Sequence, residues 1–149
     1  MTLYAEDFAV GDEFALDSHT VTKDGIVDYA RKFDPQPFHV DEDAAQESMF
    51  GGLVASGWHV VSLTNRLMTD ALFSRMALRG GHGTDEVRFL EPVRPGDTLT
   101  GVVEVTEISD PESRPEHRDV SLAVTTRNGE TTVLTMVNHA MVARKETPP

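Results

Sequence analysis

The sequence predicts an α+β domain in which an antiparallel sheet holds one long helix against its face. Three observations carry that prediction. Apolar residues recur at helical spacing from Ser56 to Phe73 and cover more than one side of the helix. Beyond Gly83 the pattern changes to period two and keeps it, turns aside, to about Ala143. Upstream, a single strand-like stretch is followed by short helical segments. At 149 residues the chain, 1–149, is long enough to bury a real core and is expected to form one domain.

Each element has its own signal. From Asp12 to Thr22, Phe14, Leu16 and Val21 stand among polar residues, as in a strand, with the alternation broken near Asp17-Ser18-His19. Thr22 is placed to cap a helix whose apolar positions are Ile26, Val27, Tyr29, Ala30 and Phe33. That helix ends at Asp34, because a residue before proline is pushed out of the α region, and His39 then falls in an extended or turn segment. Asp41 to Ser48 reads as a short helix with a solvated, acidic first turn. In the long helix, Val60, Leu63, Leu67 and Ala71 form one stripe, with Gly57, Val61, Met68 and Leu72 beside it; Asn65 and Arg66 interrupt them. Gly80-Gly81-His82-Gly83 reads as a flexible turn, and Val87 to Leu90 as a strand ending at the Pro92–Asp97 turn. Leu99, Val103 and Val105 mark one further strand, Val120, Leu122 and Val124 another, with a polar loop from Asp110 to Pro115 between them. Asn128-Gly129 is a hairpin signal leading into Thr132–Ala143, and the tail from Lys145 to Pro149 is expected to fray. One helix covers one face of a sheet only partly, so dimerisation is expected as well.

Composition narrows the function classes. With 39% hydrophobic and 26% charged residues the chain has the composition of a soluble globular protein. A formal net charge of −12 argues against a general affinity for nucleic acid or anionic membranes. A polyanionic ligand would need a local basic patch, for which Arg88, Arg94, Arg114 and Arg118 are the candidates. No apolar run approaches the roughly 20 residues of a membrane span. Met1 to Asp7 is acidic and lacks an export signal's apolar core, and there are no cysteines, so a cytoplasmic protein without disulfides or thiolate chemistry is expected. No metal site is expected either. The carboxylates between Asp41 and Glu47 lack a ligand pattern, His82 reads as part of its turn, and His19, His117 and His139 are too dispersed.

The chemistry concentrates between Phe33 and Gly57. Asp34 and His39 lie five residues apart on a segment stiffened by Pro35 and Pro37. Phe50-Gly51-Gly52-Leu53-Val54-Ala55-Ser56-Gly57 then leads into the long helix, whose first backbone N–H groups carry partial positive charge. Proton-transfer catalysis needs an acid–base pair held beside a polarising group, and this stretch supplies both. Read alone, each residue has a second reading. Asp34 serves equally as a helix-terminating residue, His39 as a surface or hydrogen-bonded histidine, and Gly57 as a site of close helix packing. Trp58 lines a channel or packs in the core, and His59 beside it lines the same channel or is exposed.

Asp34-x-x-Pro37-x-His39-x-Asp41, followed by Ala45, Phe50-Gly51 and Val54-Ala55-Ser56-Gly57, resembles the MaoC-like dehydratases, also called (R)-specific enoyl-CoA hydratases. Val87 to Thr98 is similar to that family's strand and turn, and the resemblance covers about residues 10–143. It implies a hotdog fold, a sheet wrapped around a long central helix, in a homodimer or higher homo-oligomer with sites at the interface. It implies reversible hydration of 2-enoyl thioesters to (3R)-hydroxyacyl thioesters, carried by coenzyme A or acyl carrier protein, with no cofactor. By motif position Asp34 and His39 match the catalytic pair, and Gly57 matches the glycine whose N–H binds the thioester oxygen. Ser56, Trp58 and Asn65 fall at substrate-binding positions, with Gln36 and Asp41 in support. The chain departs from the family at Gln36 (mostly Asn), Lys32-Phe33 (often Ser-Gly), Ser56 (often His) and Asn65 (a serine in some members), changes that bear on the acyl pocket. Hydration needs a base for water, an acid for the α-carbon and a donor at the thioester oxygen, and the spacing alone does not say whether Asp34 or His39 is the base. A thioesterase and a non-catalytic acyl-thioester binding subunit are the alternatives on the same fold.

Overall fold

Thr22, two residues past the first strand, starts the first helix. Its Oγ1 accepts the Gly25 N–H at 3.0 Å, which caps α1 (Lys23–Phe33) directly after β1 (Glu13–Thr20). Asp34 closes α1, as the following proline requires, and Pro37 opens a single helical turn, α2 (Pro37–Val40). His39 is therefore in a single helical turn, where an extended or turn segment was expected. Proline at the first helical position loses no hydrogen bond and presets the helical φ, so Pro35 ends one helix and Pro37 begins the next. Asp41 then caps α3 (Glu42–Gln46), its Oδ1 accepting the N–H groups of Asp43 at 2.9 Å and Ala44 at 3.3 Å.

In this computed structural model, which describes residues 1–146, α4 (Gly57–Ala71) packs against a five-stranded antiparallel sheet. The remaining strands are β2 (Leu78–Phe89), β3 (Thr98–Ser109), β4 (His117–Asn128) and β5 (Thr131–Ala143), and the spatial order is β1-β3-β4-β5-β2. Val60, Leu67 and Met68 of α4 share one apolar cluster with Leu99, Val103 and Val105 of β3, Val120, Leu122 and Val124 of β4, and Leu134 and Met136 of β5. The hotdog arrangement is thus present. Inside it, the fully buried hydroxyls of Thr64 and Thr126 bond each other at 2.8 Å and fix the level of the helix on the sheet.

Two strands depart from regular pairing. The broken alternation at Asp17-Ser18-His19 is a register shift between Leu16 and His19 in the β1–β3 pairing. The Gly80–Gly83 segment, expected as a turn, lies within β2, which pairs with β5 from Leu78 onward. Gly81 faces Ala140 and Gly83 faces His139, so His82 is the extra residue of a bulge. The adjoining φ values of +149° at Gly80 and +148° at Gly83 are why glycine occupies both positions. The expected tail falls partly outside the described residues, since 147–149 are not among them; Lys145 is held by its N–H on Glu6 Oε2 at 2.9 Å.

Thr126→Val leaves the Thr64 hydroxyl buried without a partner and is expected to cost about 1–3 kcal/mol, most of which the added Thr64→Val recovers. Urea unfolding of both single variants and the double variant measures this. Simple addition of the two losses would show that the pair is not coupled.

Candidate active site

The stretch after α1 folds back on itself through backbone bonds. Gln36 N–H donates to the Asp34 carbonyl at 2.8 Å, and His39 N–H donates to the Gln36 carbonyl at 2.9 Å. Gln36 supports the turn in this way, with its side chain exposed and making no capping bond. Leu53 to Ser56 then runs as a strap between α2 and the Pro92–Asp97 turn. Val54 N–H donates to the Phe38 carbonyl at 3.2 Å, and Ala55 N–H to the Val93 carbonyl at 2.8 Å. Arg94 Nη2 holds the Phe50 carbonyl at 2.6 Å, so this candidate for a basic patch fastens the loop ahead of the strap. Arg118 is paired with Asp110 at 2.8 Å, outside this region.

On this frame His39 is buried, 7% exposed, and its Nδ1 lies 2.6 Å from the Val54 carbonyl oxygen. A carbonyl only accepts, so Nδ1 carries the hydrogen and a neutral His39 offers its lone pair at Nε2. That nitrogen is 3.5 Å from Asp34 Oδ2. Two such atoms can share one water at about 2.8 Å from each. Ser56 Oγ donates to the same Asp34 oxygen at 2.7 Å.

His39 and Gly57 line one cavity of about 330 Å³, walled by Phe38, Phe50, Phe89 and Val133 among others. The first N–H that α4 spends on its own helix belongs to Val60, which bonds the Ser56 carbonyl at 3.1 Å. The Gly57 N–H at N1 is therefore not used by the helix. A Cβ at Gly57 would come 2.6 Å from Phe89 Cζ, so the ring lies where any other side chain would stand.

The structure brings together Asp34, His39, Ser56 and Gly57, and separates the others. Ser56, placed among the substrate contacts on motif position, is fully buried and turned to Asp34. Trp58 is 55% exposed and does not line the cavity; its ring meets Phe89 edge-on at 5.8 Å. Asn65 is eight residues further along α4, about 12 Å on the axis, and lines a different depression with Thr69, Thr84 and Asn138. Asp41 acts as a helix cap.

Sequence reasoning missed the aromatic wall of Phe38, Phe50 and Phe89, because three rings far apart in the chain carry no shared pattern. His59, read beside Trp58 as channel-lining or exposed, is neither. That imidazole is 8% exposed, stacks flat on Tyr29 with ring centres 4.7 Å apart, and has no hydrogen-bond partner at Nδ1. Burial foremost, and then the charges of His19 and His39, hold its pKa below 6.5. The unfolded chain consequently takes up a proton near pH 6.5 that the folded chain refuses. His59 is therefore expected to cost stability as the pH falls below 6.5, and nothing above it. Denaturant unfolding across that range should show a shallower acid loss in His59→Phe, which keeps the stack; an unchanged slope would refute the assignment.

A family model described as "MaoC like domain" matches residues 7–133. Among solved structures, the MaoC-like dehydratase from Rhodospirillum rubrum is 39% identical with a TM-score of 0.88, covering 97% of this chain and 99% of that one. A 3-hydroxybutyryl-CoA dehydratase from Methylorubrum extorquens is 30% identical over 145 residues, 97% of this chain and 87% of that protein. An (R)-specific enoyl-CoA hydratase from Rhodospirillum rubrum is 32% identical over 105 residues, 69% of each. The match spans most of the chain and includes the segment that builds the cavity, and the chain belongs to the MaoC-like dehydratase family.

Proposed function

We propose that this chain is a hydro-lyase that adds water reversibly across the double bond of a 2-enoyl thioester, giving the (3R)-hydroxyacyl thioester. The observation that carries the reading is the approach of His39 Nε2 to Asp34 Oδ2 at 3.5 Å, with His39 lining the same cavity as Gly57. Relatives that are 30% and 32% identical bear the names of a dehydratase and a hydratase of acyl-CoA substrates.

In this reading a water lies between Asp34 and His39. Asp34 accepts one of its hydrogens, and the hydrogen bond from Ser56 fixes the rotamer of the carboxylate. His39 Nε2 takes the other proton as the water oxygen bonds to C3 of the enoyl group. The electron pair of the C2–C3 double bond moves toward the thioester oxygen, where the Gly57 N–H stabilises it. The imidazolium then returns its proton to C2, so oxygen and hydrogen add with no net change in the protein. His39 is the base in this scheme because Nδ1 is committed to Val54. The apolar walls receive the acyl chain, and the carrier is coenzyme A or acyl carrier protein in the cytoplasm.

Loss of ultraviolet absorbance from short and medium 2-enoyl-CoAs tests the proposal. Asp34→Asn and His39→Ala should each lower kcat by about 10²–10⁴. Ser56→Ala removes a positioning bond but no reacting group and should fall between them and the wild type. A wild type that hydrates no enoyl-CoA, or variants that keep its rate, would sink the assignment.

A homodimer belongs to the same reading. Phe33, Met49, Trp58, Phe89 and Leu90 are exposed apolar residues on the segments that build the site, and a second copy would cover them. Sedimentation equilibrium should give twice the 16.4 kDa chain mass; a monomer at micromolar concentration would exclude it.

A further inference from the structure

The bulge in β2 gives His82 an unusual reach. As the residue without a partner on β5, it is free of the ladder's alternation, and its Nε2 extends to Asp119 Oδ1 on β4 at 2.9 Å. His117, two residues before Asp119 on the same strand, brings its Nε2 to 3.7 Å from the same oxygen. All three ligand atoms lie within 4.8 Å of one another. His117 is only 4% exposed, and its Nε2 is a buried nitrogen without a hydrogen-bond partner. Buried polar atoms are rarely left so.

We propose that His82, His117 and Asp119 form a binding site for a divalent transition cation of the zinc class, remote from the Asp34–His39 cavity. Ligand atoms about 2.0–2.1 Å from a tetrahedral zinc stand about 3.3 Å apart. The observed 2.9 and 3.7 Å to Asp119 Oδ1 bracket that value, and the two histidine nitrogens lie within 4.8 Å of each other. Two imidazoles and one carboxylate select zinc-like ions over magnesium or calcium, which prefer oxygen throughout. Glu116 Oε1 lies 3.9 Å from His117 Nδ1, on the side where a carboxylate orients a metal-bound imidazole. The net charge of −12 favours a cation in general. Two strands supply the ligands, with β5 between them, so the ion clasps edge strand β2 to β4. The fourth position is open to water.

The full chain without an affinity tag, stripped by chelator and dialysed, is titrated with Co²⁺ while its visible absorption is followed, and Zn²⁺ is then added. One equivalent should bind with a ligand-field spectrum that Zn²⁺ abolishes. Zn²⁺ should also raise Tm, and Mg²⁺ should do neither. His82→Ala and Asp119→Asn should each weaken binding by more than about tenfold, the least that loss of even an outer partner of a metal site costs. His139→Ala, which removes a neighbouring histidine bonded to Asp85 and Ser121, should bind as the wild type does. His82 is 42% exposed in its side chain, so His82→Ala keeps the test decisive if Asp119→Asn fails to fold. A wild type without a cobalt spectrum, or a His82→Ala protein that binds cobalt as tightly as wild type, overturns the site.

Discussion

The bond between His39 Nδ1 and the Val54 carbonyl is the constraint on which the site depends. It is short at 2.6 Å, it is buried, and it joins two segments that have no regular pairing of their own. One is the single turn of α2, too short to be stable alone. The other is the strap that leads to α4. With the bond in place the tautomer of His39 is fixed, its Nε2 is turned to Asp34, and the strap is held at the height where Ser56 meets the same carboxylate. The strap has two further backbone bonds, from Val54 N–H to Phe38 and from Ala55 N–H to Val93, but only this one also orients the imidazole.

Helix α4 supplies the second level of order. Its start lines the cavity while its apolar sides pack on the sheet, and the Thr64–Thr126 bond keeps the two in register. A shift of the helix along its axis would move the Gly57 N–H relative to His39. The buried hydroxyl pair makes such a shift costly, because either hydroxyl alone would be left unsatisfied.

The elements readable in the sequence are those with local causes. Thr22 and Asp34 bound α1 because capping and the residue-before-proline restriction act within a few residues. The buried helix follows from its broad apolar cover, and the Asp34–His39 pair from its proline-stiffened spacing. What stayed hidden depends on residues distant in the chain. Proline at N1 made α2 helical where a turn was expected, and bulging against β5 drew the Gly80–Gly83 segment into a strand. Ser56 looked like a substrate contact because motif position says nothing of where a hydroxyl points. Its partner Asp34 is 22 residues away. The same holds for His82 and His117, which are brought together only by strand order.

The sheet order β1-β3-β4-β5-β2 has a consequence for how the chain reaches this state. Strands β3, β4 and β5 pair with their neighbours in sequence and can form as a meander through short loops. Strand β1 must find β3 across more than 80 residues, as in the pairing of Leu16 with Gly101, and β2 must find β5 across about 50, as in Phe89 with Leu134. The segment that carries the site runs between β1 and β2, from one edge of the finished sheet to the other. Its closure entropy is met only once both edges have docked. Order in the cavity therefore depends on both edges of the sheet, and its local stability draws on strands that contribute no titratable group to it.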